Sequence, residues 1–110
     1  MVDFEYIEIE KALIPYRFEM ELGAELFLIE IRYNDLHDYF TLDLQKGDEI
    51  LVNGEKLVYA TPLFSEVFDG RFPAPTIIPL DTSGKETRVS FANLNETVFL
   101  KLVNDNEYVI

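Results

Sequence analysis

A cluster of prolines inside an apolar stretch is the feature that most restricts how this chain can fold. The stretch spans residues 71–80, is called the strap below, and contains Pro73, Pro75 and Pro79. Proline fixes φ and donates no backbone hydrogen bond, so it is excluded from the interior of a central β-strand. Disordered proline-rich tracts are usually poor in large apolar residues, whereas the strap contains Phe72, Ile77 and Ile78. The pattern therefore predicts a stiff, extended segment that packs against the rest of the protein.

Most of the remaining chain has the period-two pattern of half-buried β-strands. In residues 16–22, aromatic and aliphatic side chains alternate with Arg17, Glu19 and Glu21. Such alternation places the apolar residues on one face of a strand and the charged residues on the other. By this criterion we predict strands at 6–10, 16–22, 25–33, 38–44, 49–52, 55–59, 86–91 and 97–103.

Turn signals separate these segments and suggest how they are connected. Gly23-Ala24 predicts a tight turn that makes residues 16–33 a long antiparallel hairpin. Asn53-Gly54 predicts a second hairpin turn, because both central residues of such a turn need positive φ. Within residues 61–70, the spacing of Leu63, Phe64, Val67 and Phe68 favours one helical turn.

Strand spacing and the lack of a long amphipathic helix fix the predicted fold class. Without such a helix the chain cannot make the crossovers that a parallel sheet requires. We predict an all-β fold, a single antiparallel β-sandwich or small β-barrel of about eight short strands. The 110 residues are predicted to form one domain, residues 1–110, with the strap inside it.

The net charge of the chain limits the classes of partner that it is expected to bind. It carries 9 Lys and Arg against 21 Asp and Glu, for a net charge of −12. Such a surface repels phosphate backbones and anionic lipid surfaces, so neither nucleic acid nor membrane is an expected partner. The chain has no Cys, and its N-terminus lacks the basic start and apolar run of a secretory signal, which favours a reducing compartment.

Residues capable of chemistry are present, but they do not form a recognisable site. His37 is the one histidine, and it lies in a predicted turn with no marked nucleophile beside it. The oxygens around Asp81 do not match a calcium loop, so we expect Asp81 to cap its own turn. Paired acids such as Glu19 and Glu21 are expected on a solvated strand face. We predict no catalytic residue, no cofactor and no metal, and therefore no enzyme.

Similarity to a known family rests on several segments. The strap and the SGKETRV that follows it are the most specific, and GEKLVYATPLF, NLNETVFLKLV, YIEIEKALIPYRFEMEL and FLIEIRYN add weaker similarity. Together they resemble the baseplate plug family of contractile-tailed bacteriophages and prophages. The resemblance covers about residues 6–103. It implies a structural, non-enzymatic virion protein near the hub of the tail baseplate, assembled in the bacterial host cytoplasm. Its implied partners are other baseplate and hub proteins, and a homo-oligomer remains open.

The strap is the best candidate for a functional surface, because a rigid extended segment loses little entropy when it binds. We predict a protein interface that includes Arg71, Phe72, Pro73, Pro75 and Tyr59. The structural alternative is that the strap only closes one end of the fold. An exposed aromatic cluster of Tyr39, Tyr59 and Phe72 would be a further subunit contact.

Two other functions remain alternatives. One is an acidic mimic of DNA that binds a basic host protein, which requires carboxylates arrayed along one face. The other is a small sandwich that binds a ligand or glycan through exposed aromatic residues.

Overall fold

The computed structural model describes residues 5–65 and 70–103, and in this part of the chain the fold is almost entirely β. It contains one short 3-10 helix, Lys11–Leu13. The strands are β1 Tyr6–Ile7, β2 Tyr16–Leu22, β3 Glu25–Asn34, β4 Tyr39–Lys46, β5 Glu49–Lys56, β6 Thr76–Leu80 and β7 Phe99–Val103.

Two antiparallel sheets enclose one apolar core. One sheet has the order β2-β3-β4-β5 and the other β1-β7-β6, and neither closes into a barrel. The core is formed by inward-facing residues of both sheets, and these residues are fully or almost fully buried. They include Phe27, Ile29, Phe40, Leu42, Ile77 and Leu100. The predicted all-β class is therefore confirmed, in its sandwich form.

The long hairpin predicted for residues 16–33 is present. β2 and β3 pair without interruption from Tyr16 opposite Ile31 to Leu22 opposite Glu25. The turn between them uses positive φ at both of its central residues, 62° at Gly23 and 70° at Ala24. Those angles suit a two-residue hairpin loop because their twist matches that of the flanking strands.

The prediction of a hairpin turn at Asn53-Gly54 is wrong, because residues 49–56 form one continuous strand, β5. β5 pairs with β4 throughout, and its register shifts where Leu42 lies opposite Glu55 but Leu44 opposite Val52. One extra residue of β5 is accommodated there as a β-bulge. Gly54 supplies the positive φ, 85°, that a bulge of this kind uses. The backbone N–H of Gly54 donates to Asp43 Oδ1 at 2.7 Å, which stabilises the bulge.

The strand predicted at residues 86–91 is also wrong. Asp81 accepts hydrogen bonds from the backbone N–H groups of Ser83, Lys85 and Glu86, at 2.9–3.1 Å. Further on, the Asn93 side chain bonds to the backbone of Ser90 and Arg88. Because side chains take these backbone groups, the segment does not pair as a strand.

The predicted helical turn in residues 61–70 is only partly described. Residues 63–65 form a turn, and Phe64 has φ of 60°, which a right-handed helix does not allow. Val67 and Phe68, on which the prediction also relied, lie outside the described residues.

The strap has two halves. Residues 71–75 are irregular, and Thr76–Leu80 form β6 at the edge of the three-stranded sheet. The carbonyls of Ile77 and Pro79 point away from β7, since they accept hydrogen bonds from Leu63 and Ala60 at 2.8 Å. Pro79 thus sits where its missing N–H would face outward and costs no bond to β7, as expected for proline in an edge strand.

Candidate assembly surface

The first half of the strap lies across one end of the four-stranded sheet. The Arg71 guanidinium forms an ion pair with Glu49 at the start of β5. Further along, Ala74 and Pro75 pass beside Gly23 in the β2–β3 turn. The β2–β3 turn and the β4–β5 turn, which Glu49 follows, lie at the same end of this antiparallel sheet. Residues 71–75 therefore span that end.

The contact between the strap and Gly23 is unusually close. A Cβ at position 23 would lie 3.0 Å from the Ala74 Cβ and 3.1 Å from the Pro75 Cδ. Gly23 therefore serves two purposes: its φ of 62° forms the turn, and its missing side chain lets the strap approach.

The predicted interface residues of the strap differ in how freely they face solvent. About half of the Arg71 side chain is exposed, even though it is paired with Glu49. Phe72 is half-buried and packs against the core, with its ring centroid 5.3 Å from that of Phe64. Pro73 and Pro75 are half-buried. The first half of the strap therefore presents a surface that combines the charged Arg71 with apolar side chains.

The structure does not bring Tyr59 to these residues. Its hydroxyl accepts a hydrogen bond from the Asp81 N–H at 3.2 Å, beyond the C-terminal end of β6. The length of β6 separates that point from the first half of the strap. Tyr39 and Tyr59 do share a shallow groove, but Phe72 is not part of it. The predicted cluster of Tyr39, Tyr59 and Phe72 does not form.

A groove that the sequence did not reveal, called the edge groove below, runs beside β2. It encloses about 470 Å³ and is lined by Glu5, Tyr6, Met20, Glu21, Leu22, Gly23, Pro75 and Leu102. β1 belongs to one sheet and β2 to the other, so the groove lies where an edge of each sheet meets the other. Strands distant in sequence form it, which is why no local pattern predicted it. Pro75 is the one predicted interface residue that lines it.

The outer face of the four-stranded sheet carries a network of ion pairs. Glu30 contacts Arg17 at 2.7 Å and Arg32 at 2.9 Å, and Arg32 also contacts Asp43 at 2.7 Å. The hydrogen bond from Arg17 lowers the pKa of Glu30, and the charge of Arg32 adds to this effect. Pairs of this kind, in which the arginine side chains remain exposed, contribute little stability. They do neutralise two carboxylates on this face.

Asp38, at the opposite end of the sheet, is engaged structurally. Its carboxylate accepts hydrogen bonds from Phe91 N–H at 2.9 Å, Tyr33 Oη at 2.8 Å and Arg88 at 3.2 Å. The hydrogen bonds from Phe91 N–H and Tyr33 Oη lower the pKa of Asp38. The hydrogen bond between Tyr33 and Asp38 also raises the pKa of Tyr33. His37 is exposed in the adjacent turn, where its backbone N–H donates to Asn34 Oδ1. Asp38 is thus a structural link between the β3–β4 turn and residues 88–91.

Asp81 caps its own turn, as the sequence predicted. Its carboxylate accepts from Ser83 Oγ at 2.7 Å as well as from three backbone N–H groups. The Ser83 hydroxyl and these N–H groups lower the pKa of Asp81. Across residues 5–65 and 70–103, no three His, Asp or Glu residues are grouped so that they could hold a metal ion.

In the described part of the chain, no helix is long and apolar enough to cross a membrane.

Comparison with known proteins gives one clear result. A search of the curated proteins returned no match. The family model for the cyanophage baseplate Pam3 plug gp18 matches residues 4–105, which include the strap and every strand described above. The chain therefore belongs to this phage baseplate plug family.

Proposed function

We propose that the protein is a non-enzymatic structural component of a phage or prophage tail baseplate, acting in assembly and closure near the hub. The observation that carries this proposal is the family match over residues 4–105. The engagement of Asp38 and Asp81 in the fold supports it, since these carboxylates are held by hydrogen bonds within the chain. The protein would be made in the host cytoplasm and built into the virion beside hub and baseplate proteins.

We further propose that the first half of the strap is part of a contact between subunits. Arg71 and Phe72 would anchor the contact, and Pro73 and Pro75 would hold its shape. The seating of residues 71–75 on the β2–β3 turn supports this, because a surface that is already rigid loses little entropy on binding. Tyr59, at the far end of β6, would join only if the partner also covered that end.

The alternative functions receive less support. A DNA mimic needs rows of unpaired carboxylates, but Arg17 and Arg32 neutralise Glu30 and Asp43 on the outer face of the larger sheet. A glycan-binding sandwich needs exposed aromatic platforms, but Tyr33, Phe40 and Phe91 pack on one another with ring centroids 4.8–6.2 Å apart.

The test uses charge reversal and side-chain truncation in the strap. Arg71→Glu and Phe72→Ala are expected to reduce incorporation into assembled tails while the purified variants remain folded. Arg88→Glu and Phe91→Ala are matched controls, because they make the same changes at the opposite end of the sheet, and they should incorporate normally. Incorporation is measured by mass spectrometry of purified tails relative to a hub protein. Normal incorporation of folded strap variants would refute the contact, and absence of the wild-type protein from purified tails would refute the baseplate function.

A further inference from the structure

Sheet edges decide where another chain can add a strand, and the two sheets have four of them within the described residues. An exposed edge presents unpaired N–H and C=O groups, which can pair with an extended segment of another protein. Natural proteins protect such edges with short strands, proline, bulges, covering loops or charged side chains. The four edge strands here are β1, β6, β2 and β5.

Both edges of the smaller sheet are protected. β1 has only two residues, Tyr6–Ile7, which is too short to guide a long strand. β6 contains Pro79, and the loop before the strap covers its outer side, where Ala60 and Leu63 donate to the carbonyls of Pro79 and Ile77.

The β5 edge of the larger sheet is irregular. Its register against β4 shifts twice, and Gly54 has φ of 85° within the strand. Such bulges twist an edge and interrupt the regular spacing that strand addition needs.

Within the described residues, the β2 edge has none of the backbone protections, although three of its side chains, Arg17, Glu19 and Glu21, are charged. Its seven residues pair with β3 in unbroken register, and they contain no proline and no bulge. Within the described residues, no backbone hydrogen bond joins β2 to any segment except β3. As far as the structure describes the chain, β2 is thus a regular edge whose outward backbone groups have no strand partner.

The side chains of β2 indicate what kind of strand would fit. Glu19 and Glu21 are exposed on the outer face, and within the described residues neither has a cationic partner. On the inner face, Phe18 and Met20 are half-buried and pack at the margin of the core. The edge groove continues this apolar margin with Leu22 and Leu102, with Glu5 and Glu21 also among the residues that line it.

We propose that the open edge of β2 binds an extended segment of another protein, in which basic residues alternate with apolar ones. The added strand would extend the larger sheet, with Lys or Arg beside Glu19 and Glu21 and apolar side chains beside Phe18 and Met20. Opposite charges beside each other on neighbouring strands stabilise the pair, and like charges destabilise it.

Charge disfavours a second copy of this chain as the occupant. Pairing two β2 edges would bring together two chains of net charge −12 each. A two-fold axis at Phe18 would place Arg17 opposite Glu19 of the second copy, but Arg17 is already bonded to Glu30 at 2.7 Å. The inference goes beyond the proposed function, because it concerns what the edge binds and not where the protein sits in a virion.

The test uses a synthetic peptide that alternates Lys and Val over the length of β2, with binding followed by NMR and calorimetry at low salt. Wild-type protein is expected to bind it, with shifts in the amides of β2 and slower hydrogen exchange there. The Glu19→Lys/Glu21→Lys variant should bind about tenfold more weakly, because two attractive cross-strand pairs become repulsive. Asp35→Lys/Asp48→Lys is the matched control, since it changes the net charge equally at exposed positions outside the edge groove, and it should bind as the wild type does.

Backbone pairing is tested separately with two N-methylated peptides. Alternate N–H groups of an added strand face β2, so methylation of one set should abolish binding and methylation of the other should spare it. Equal effects of the two sets would overturn the proposal, because contact through side chains alone does not distinguish them. Lack of binding to the wild type would also overturn it, as would a stable dimer of the free protein joined through β2. Loss of tail incorporation is not a readout here, so failure of this test leaves the baseplate function unaffected.

Discussion

Gly23→Ala is the most informative single substitution, because it tests the seating of the strap on the β2–β3 turn. An alanine at φ of 62° is strained in the left-handed region, which costs about 1–2 kcal/mol. The new Cβ would also lie 3.0 Å from the Ala74 Cβ and 3.1 Å from the Pro75 Cδ. Neither group can move away by changing rotamer, and such overpacking typically costs about 1–3 kcal/mol more. The expected total loss of unfolding free energy is therefore about 2–5 kcal/mol.

Gly47→Ala is the matched control for this substitution. Gly47 lies in the β4–β5 turn with φ of 60°, and a Cβ there would meet no atom within 4 Å. It should show the backbone cost alone, about 1–2 kcal/mol. Urea denaturation followed by circular dichroism measures the free energy of unfolding of both variants. In thermal unfolding, each kcal/mol lost should lower Tm by about 4–6 °C.

The double variant Gly23→Ala/Ala74→Gly removes one of the two close contacts. It should recover part of the difference between Gly23→Ala and Gly47→Ala. If Gly23→Ala is no less stable than Gly47→Ala, the strap is not seated against the turn, and the rigid surface proposed for residues 71–75 loses its basis.

Two further predictions concern Asp81 and the aromatic core. The lowered pKa of Asp81 means that its carboxylate stabilises the fold above pH 3.8, its ordinary value, and that this stabilisation declines as the pH falls through the lower folded value. Asp81→Asn should therefore destabilise the protein at neutral pH and lose less stability on acidification than the wild type, as measured by urea midpoints at about pH 7 and pH 3; an unchanged acid dependence would contradict this assignment. Phe40→Ala removes a side chain with no exposed surface and should cost about 3–5 kcal/mol, whereas Phe91→Ala, at 41% exposed, should cost clearly less in the same denaturation assay; equal losses would show that burial does not set the cost at these rings.

The sequence predicted much of the larger sheet because its information is local. In residues 16–22, alternation assigned Tyr16, Phe18 and Met20 to one face, and they do pack at the core. Gly23-Ala24 predicted the turn, since the φ preference of glycine acts within two residues. Asp81 was likewise predicted to cap its turn from its immediate neighbours. The interpretation of residues 1–110 as one domain stays a prediction.

The errors arose where distant residues compete for the same backbone. Asn53-Gly54 has the signature of a hairpin, but β4 is long enough to pair with residues on both sides of it, so Gly54 makes a bulge instead. Residues 86–91 alternate like a strand, but Asp81 and Asn93 take their backbone groups. In both cases a local preference of about 1 kcal/mol yields to pairing that only the folded chain provides.

The strap shows the same division between sequence and tertiary structure. Its prolines by themselves exclude a central strand, because proline lacks the N–H that a ladder requires at every second residue. Only tertiary structure determined that Pro79 lies in the edge strand β6, with its carbonyl bonded to Ala60, and that Pro75 closes against Gly23. The open β2 edge and the edge groove depend on tertiary structure in the same way, because they exist only where strands far apart in the chain end side by side without pairing.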